Sequence, residues 1–200
     1  MATVHFISHS EVAIDPPVPV PDWPLSAVGI QRGRLLLERP SVTGVRAVFS
    51  SAKRKATDLV RMMADHLGCR RSSSTGSART TDPPPCICRR RRSRPWRMRC
   101  SRGRRRAVRG WERAVDAQRR IVQAVDRVLA MAPADADVAI VSHGGAGALL
   151  LCHLKAVPIT RSEDQPGDGG GNVYRFDVAT RRLLSGWRRT EDWISDARRP

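Results

Sequence analysis

Two histidines in this chain stand where histidines can do chemistry. His9 directly follows the run TVHFIS, and His143 directly follows DVAIVS and is itself followed by Gly144 and Gly145. Both runs are apolar and β-branched, the pattern of a buried parallel strand, and open α/β sheets bind ligands in the loops just past such strand ends. An imidazole with its ordinary pKa of about 6.5 is largely neutral at pH 7, so its nitrogen is free to act as a nucleophile or base. A glycine pair opening an apolar helix allows close backbone approach, and a helix N-terminus favours an anion. Taken alone, His9 also fits a loop or packing histidine, and His143 a helix cap. His5, His66 and His153 fit a strand face, a helix end and a helix face. A third stretch, SSAKRKA, places Lys55 at the start of a helix, where by itself it would be a solvated residue, with Ser50 and Ser51 as strand end and N-cap.

The elements that must position these residues can be read in order. Thr3 to Ser8 forms a strand, and the loop DPPVPVPDWP follows, its prolines barred from sheet and helix interiors. Ser26 is a suitable N-cap for a helix over Ala27 to Glu38, stopped by Pro40. GVRAVFSS is a second buried strand, and a helix from Lys53 to Leu67 ends at Gly68. Later, Val115, Ile121, Val122, Val125, Val128 and Leu129 share one face of a long amphipathic helix. DVAIVS is the next strand, Ala146 to Lys155 an apolar helix, and VYRFDV the last strand. Strands alternating with helices predict an α/β fold, a three-layer α/β/α arrangement around a mostly parallel central sheet. Residues 1–200 are read as a single domain. Trp23, Trp111 and Trp187 are expected to be packing anchors and Cys152 a buried core thiol.

The formal charge of +17 suggests a polyanion partner, yet 14 arginines and only one acid, Asp82, lie between Cys69 and Arg106. Residues 69–107 therefore form an anomalous Arg-rich insert in an otherwise ordinary chain. As displayed, the insert could bind phosphate backbones without sequence preference. It lies inside a fold rather than at a terminus, however, and Trp96 is its only aromatic residue between 86 and 106, which argues against nucleic acid. Cys86, Cys88 and Cys100 match no common zinc spacing, so no metal is expected. Read one base out of register with mostly G or C in the wobble position, the segment from Arg70 to Arg106 turns into an acidic, helix-forming string with turn signals. A pair of compensating frameshifts accounts for it better than an evolved basic arm. No run approaches the roughly 20 apolar residues of a membrane span, and no leader opens the chain, which predicts a cytoplasmic protein without a membrane partner.

Four stretches in this order, VHFISHSEV, PLSAVGIQRGRLLL, VFSSAKRKA and VAIVSHGGAGALLLCHL, resemble the histidine phosphatase superfamily, the phosphoglycerate mutase-like fold. The resemblance covers residues 1–68 and 108–188. It implies a phosphomonoester hydrolase or phosphoryl-transfer enzyme that works through a phosphohistidine, on a small phosphorylated substrate, without metal or organic cofactor. His9 falls at the nucleophile's position, and His143 at that of the second histidine, which would bond the transferring phosphoryl oxygens with Gly144 beside it. The chain departs from the pattern at two clamps. Ser8 replaces the arginine of the opening motif, and Lys55 stands at the second arginine, with Arg54 beside it as a substitute only if the helix rotates. Lysine keeps the charge and loses the bidentate fork. The family's acid would fall inside the insert, which displays no Glu; the reframed string supplies one. Ser8, Lys55 and Gly144 are thus the expected phosphate-binding positions. The competing expectations are a catalytically dead anion-binding module and a non-specific nucleic-acid binder. Substrate identity and oligomeric state stay open.

Overall fold

The computed structural model describes residues 2–68, 112–133 and 135–192. The Arg-rich insert at 69–107, its four cysteines, Trp96, Trp111 and the position expected for the acid lie outside the described residues. The elements run β1 (Thr3–Ser8), α1 (Ala27–Leu37), β2 (Val45–Ser50), α2 (Arg54–Leu67), α3 (Ala114–Met131), β3 (Asp137–Ser142), α4 (Gly144–Leu154), β4 (Asn172–Asp177) and β5 (Leu183–Arg189). Among the described residues they build a five-stranded sheet in the order β2-β3-β1-β4-β5. β3 pairs in parallel with both β1 and β2, while β4 runs antiparallel to β1 and β5 antiparallel to β4.

The two-residue period of the strands sorts the core into two layers. Ile7, Ala139 and Val141 pack with Leu36, Leu37, Leu59 and Met63 of α1 and α2. Val4, Phe6, Val138 and Ile140 pack on the other face, with Ile121, Val125 and Val128 of α3 and Leu150 and Leu151 of α4. This is the expected α/β/α arrangement, with the parallel strands grouped on one side of an antiparallel hairpin.

Local signals set most boundaries. Ser26 Oγ accepts from Gly29 N at 3.0 Å and caps α1, and Gly68 at φ 60° ends α2 in the left-handed conformation that glycine adopts freely. Ile121, Val125, Val128 and Leu129 of α3 are buried, whereas Val115 and Val122 lie half-buried at the edge of the expected stripe. Trp187 meets Tyr174 edge-on with ring centroids 4.7 Å apart, as a packing anchor should, and Cys152 is a buried free thiol.

Three expectations need correction. VYRFDV is not the last strand, because LLSGWRR adds β5 at the sheet edge. Glycine and paired arginines hide the strand pattern there, and β5 borrows its register from β4 through a turn in which Asp177 Oδ1 accepts from Thr180 N at 2.6 Å. Helix α4 starts at Gly144 rather than Ala146, so both glycines lie in its first turn. Ser51 is not the cap of α2, which is Lys53. No helix among the described residues is long and apolar enough to cross a membrane.

Candidate active site

The carboxyl ends of three adjacent parallel strands converge, and the functional side chains lie one or a few residues past them. Ladder bonds continue beyond the strands: His9 N donates to Ser142 O at 2.9 Å, and Ser51 N to Val141 O at 3.0 Å. These bonds fix the backbone of His9 against β3 and that of Ser51 against the same strand. The imidazoles of His9 and His143 consequently meet edge to face, their centroids 5.1 Å apart. The 134 residues that separate the two histidines along the chain are bridged by the β1–β3 register alone, in which Ser8 faces Ser142.

Each ring is oriented by one bond. His9 Nδ1 lies 2.8 Å from the Ser10 carbonyl oxygen. A carbonyl can only accept, so Nδ1 carries the hydrogen and Nε2 presents the lone pair. His143 Nε2 lies 3.1 Å from Ser51 Oγ, and a hydroxyl can donate or accept, so Ser51 serves either tautomer. Burial lowers the pKa of His9 to about 4, the Ser10 carbonyl opposing and the charge of Lys55 assisting. Burial likewise lowers His143 to about 3, helped by His9, Lys55 and Lys53. Both imidazoles are therefore neutral at physiological pH.

Lys55 lies on the inward face of α2 at 7% exposure, whereas Arg54 is turned outward. The helix thus brings the lysine, not its neighbour, to the histidines. Lys55 Nζ donates to Val20 O at 2.9 Å and lies 5.7 Å from the centroid of the Trp23 ring. Gly144 is the first residue of α4, and the first backbone bond of the helix is Gly147 N to His143 O at 2.9 Å. The Gly144 to Ala146 amides at that end are those a helix leaves without an intrahelical partner. A Cβ at Gly144 would collide with the side chain of Gln165, so the glycine lets Gln165 lie across the helix end.

Ser8 is placed differently. Its Oγ accepts from Asn172 N at 3.0 Å and donates to Asn172 O at 3.3 Å, closing the end of the β1–β4 ladder. The structure therefore assembles His9, His143, Lys55 and Gly144, and commits the Ser8 hydroxyl to the neighbouring strand. The loop before β4 is moulded onto the back of the site. Gly170, at φ 69°, passes so close to His9 that a Cβ would strike its carbonyl oxygen, and Gly171 N donates to that oxygen at 3.2 Å.

Ser51, Gln165 and Trp23 also border the histidines or their partners, beyond the expected site residues. Ser51 carries a local signal, a polar residue directly past a buried strand. Gln165 and Trp23 arrive from loops whose course no periodicity predicts. Among the described residues no group of three or more His, Cys, Asp or Glu side chains could hold a metal ion.

The family model of the histidine phosphatase superfamily, branch 1, matches residues 86–185. The match includes His143 and Gly144 and leaves His9 and Lys55 to the preceding part of the chain. No curated protein sequence matches the chain. Among solved structures, YhfR of Bacillus stearothermophilus superposes with a TM-score of 0.62 at 16% identity, covering 92% of this chain and 95% of its own. A mycobacterial glucosyl-3-phosphoglycerate phosphatase, solved with inorganic phosphate, gives 0.59 at 18% identity over 94% of this chain and 95% of its own. A phosphoserine phosphatase of Entamoeba histolytica, solved with 3-phosphoglyceric acid, gives 0.59 at 12% identity over 97% and 100%. These likenesses establish a shared fold.

Proposed function

The chain belongs to the histidine phosphatase superfamily, and from that premise we propose that it transfers the phosphoryl group of a small phosphomonoester through a phosphohistidine on His9. The observation that carries this reading is the orientation of His9: its Nδ1 is bound to the Ser10 carbonyl at 2.8 Å, which leaves the lone pair on Nε2, and its ring meets that of His143 edge to face with centroids 5.1 Å apart. The Nε2 lone pair of His9 attacks phosphorus, the P–O bond to the leaving alcohol breaks, and that oxygen departs with its electron pair and takes up a proton. Water then attacks the phosphorus of the phosphohistidine, the P–N bond breaks, and inorganic phosphate leaves with His9 restored.

Charge spreads over the three equatorial oxygens during each transfer and must be met by fixed donors. His143, the amides at the start of α4, and Lys55 meet it from different sides. A neutral His143 donates a hydrogen bond without competing with His9 for a proton. Gln165, lying across Gly144, adds a neutral donor at the substrate end. Ser8 anchors rather than clamps, because its hydroxyl is already spent on Asn172.

The names of two structural neighbours, a glucosyl-3-phosphoglycerate phosphatase and a phosphoserine phosphatase, support a phosphomonoester as the substrate class. The test is phosphate release from p-nitrophenyl phosphate, whose leaving group needs no general acid. Turnover that disappears in His9→Asn and His143→Asn supports the reading; turnover that survives in His9→Asn contradicts it.

A second reading draws on Ser8. With that hydroxyl committed and Lys55 as the clamping cation, the site is suited to hold an anion without turning it over. Inorganic phosphate that binds with no release of product from any aryl or alkyl phosphate would favour this binding module.

A further inference from the structure

We propose that Trp23 is a positioning residue for Lys55, and that the loop 15–23 is a resting dock which the Lys55 ammonium leaves for a phosphoryl oxygen when substrate binds. The inference rests on the reading of the site given above. A lysine at 7% exposure needs partners in place of water, and two of them come from a single loop. Val20 O accepts from Nζ at 2.9 Å, and the Trp23 ring lies with its centroid 5.7 Å from Nζ, inside the range of a cation–π contact. Both groups are neutral, so they hold the ammonium without cancelling its charge. An ammonium bonds an anionic phosphate oxygen, where both partners are charged, more strongly than a neutral carbonyl, so substrate can displace Val20 as the acceptor.

The loop is built to hold its place. Pro16, Pro17, Pro19 and Pro21 fix φ at four positions and remove four backbone donors. Trp23 Nε1 donates to Asp15 O at 2.9 Å and to Val18 O at 3.0 Å, so the indole that faces Lys55 also staples the loop across its own chord. A 3-10 turn over Val20–Asp22 aims the Val20 carbonyl, and Arg54 Nη1 reaches Asp22 O at 3.5 Å from the start of α2. Trp23 therefore acts on the substrate through Lys55. Its indole sets where the ammonium waits, and the loop relinquishes one hydrogen bond each time the site fills.

The chain contains three lysines, Lys53, Lys55 and Lys155, so each can be followed separately by NMR with ε-13C-labelled lysine. The Lys55→Arg variant identifies the Lys55 resonance. In the wild type that resonance is displaced by the indole ring current, and titrating inorganic phosphate moves it. Trp23→Leu abolishes the displacement, weakens phosphate binding about 3- to 10-fold and raises KM by a similar factor with less change in kcat. Trp23→Phe keeps an aromatic face and recovers part of both losses, an outcome that a merely structural role of the indole would not produce. A Lys55 resonance indifferent to Trp23→Leu, one that stays in place as phosphate is added, or a phosphate affinity equal in Trp23→Leu and wild type overturns the proposal. Phosphorylation of His9 in the same preparations reports separately on the reading of the site, so failure of the dock and failure of the site can be told apart.

Discussion

Two ends of one sheet bury histidines, and they use them differently. At the amino end of β1, His5 is buried at 2% exposure, with its Nε2 3.8 Å from Asp137 Oδ2 and Arg175 opposite it on β4. Burial lowers its pKa to about 4, Asp137 opposing and Arg175 assisting. At the carboxyl end, His9 and His143 have pKa values lowered just as far by burial, yet they face each other, a lysine and a helix N-terminus. Depth and pKa alone do not separate the two ends. What separates them is the neighbourhood: His5 sits inside the sheet between the carboxylate of Asp137 and Arg175, whereas the His9 pair sits at a strand end beside Lys55 and the start of α4. A lowered pKa marks burial; a lowered pKa at a strand end, beside a lysine and the first amides of a helix, is the setting that the proposed phosphoryl transfer requires.

The sharpest way to break the comparison is to remove one histidine from each end. His9→Asn is expected to lower turnover by on the order of 10³-fold or more. His5→Asn should leave kcat/KM within about threefold and lower the melting temperature, since it disturbs packing and not the reacting atoms. Equal losses of activity from both substitutions would erase the distinction. Next in size is Lys55→Met, expected to cost about 10²-fold in kcat/KM, with Arg54→Ala close to neutral because Arg54 points outward. A larger loss from Arg54 would mean that α2 presents its other face to substrate.

The pH dependence sharpens the same contrast. His5, His9 and His143 all hold folded-state pKa values below the ordinary 6.5, at about 4, 4 and 3. The unfolded chain therefore binds more protons than the folded one between pH 6.5 and about 4, and stability falls as pH drops through that window. Activity should hold through most of it, because His9 stays neutral until about pH 4. Melting temperature and kcat/KM measured from pH 7.5 to 4.5 should thus separate, the first declining well before the second; an acidic limb of kcat/KM near 6.5 would contradict a buried, neutral nucleophile. The smallest effects distinguish supporting bonds. Ser51→Ala removes the hydroxyl at His143 Nε2 and should lower kcat a few-fold, visible in steady-state kinetics. Asp137→Ala takes away the acceptor of Thr3 N at 2.7 Å and the neighbour of His5, and should cost about 1–3 kcal/mol of stability in urea unfolding with kcat unchanged.

Much of this could be read from the residues. Ser26 as a cap, Gly68 as a stop and the apolar runs of β1 and β3 are local signals that tertiary packing reinforced. His9 and His143 were legible as two residues at the ends of two strands. Their 5.1 Å contact was not, since it depends on β3 inserting between β1 and β2, a sheet order that no local pattern encodes. The choice between Lys55 and Arg54 turned on the rotation of one helix, which packing of Leu59 and Met63 decides. Ser8 illustrates the opposite limit. The family resemblance makes it an expected phosphate-binding position, but its short side chain bonds the Asn172 backbone. The edge strand β5 carries no local signal because pairing with β4, rather than apolar alternation, holds it in place.

The most direct test of the account is to trap the intermediate. After a brief reaction with a 32P-labelled phosphoryl donor and rapid quenching, label that survives base and is released by acid is expected on the peptide containing His9, absent in His9→Asn and present in His5→Asn. Label on any other residue, or none on His9 when turnover is measurable, would contradict it.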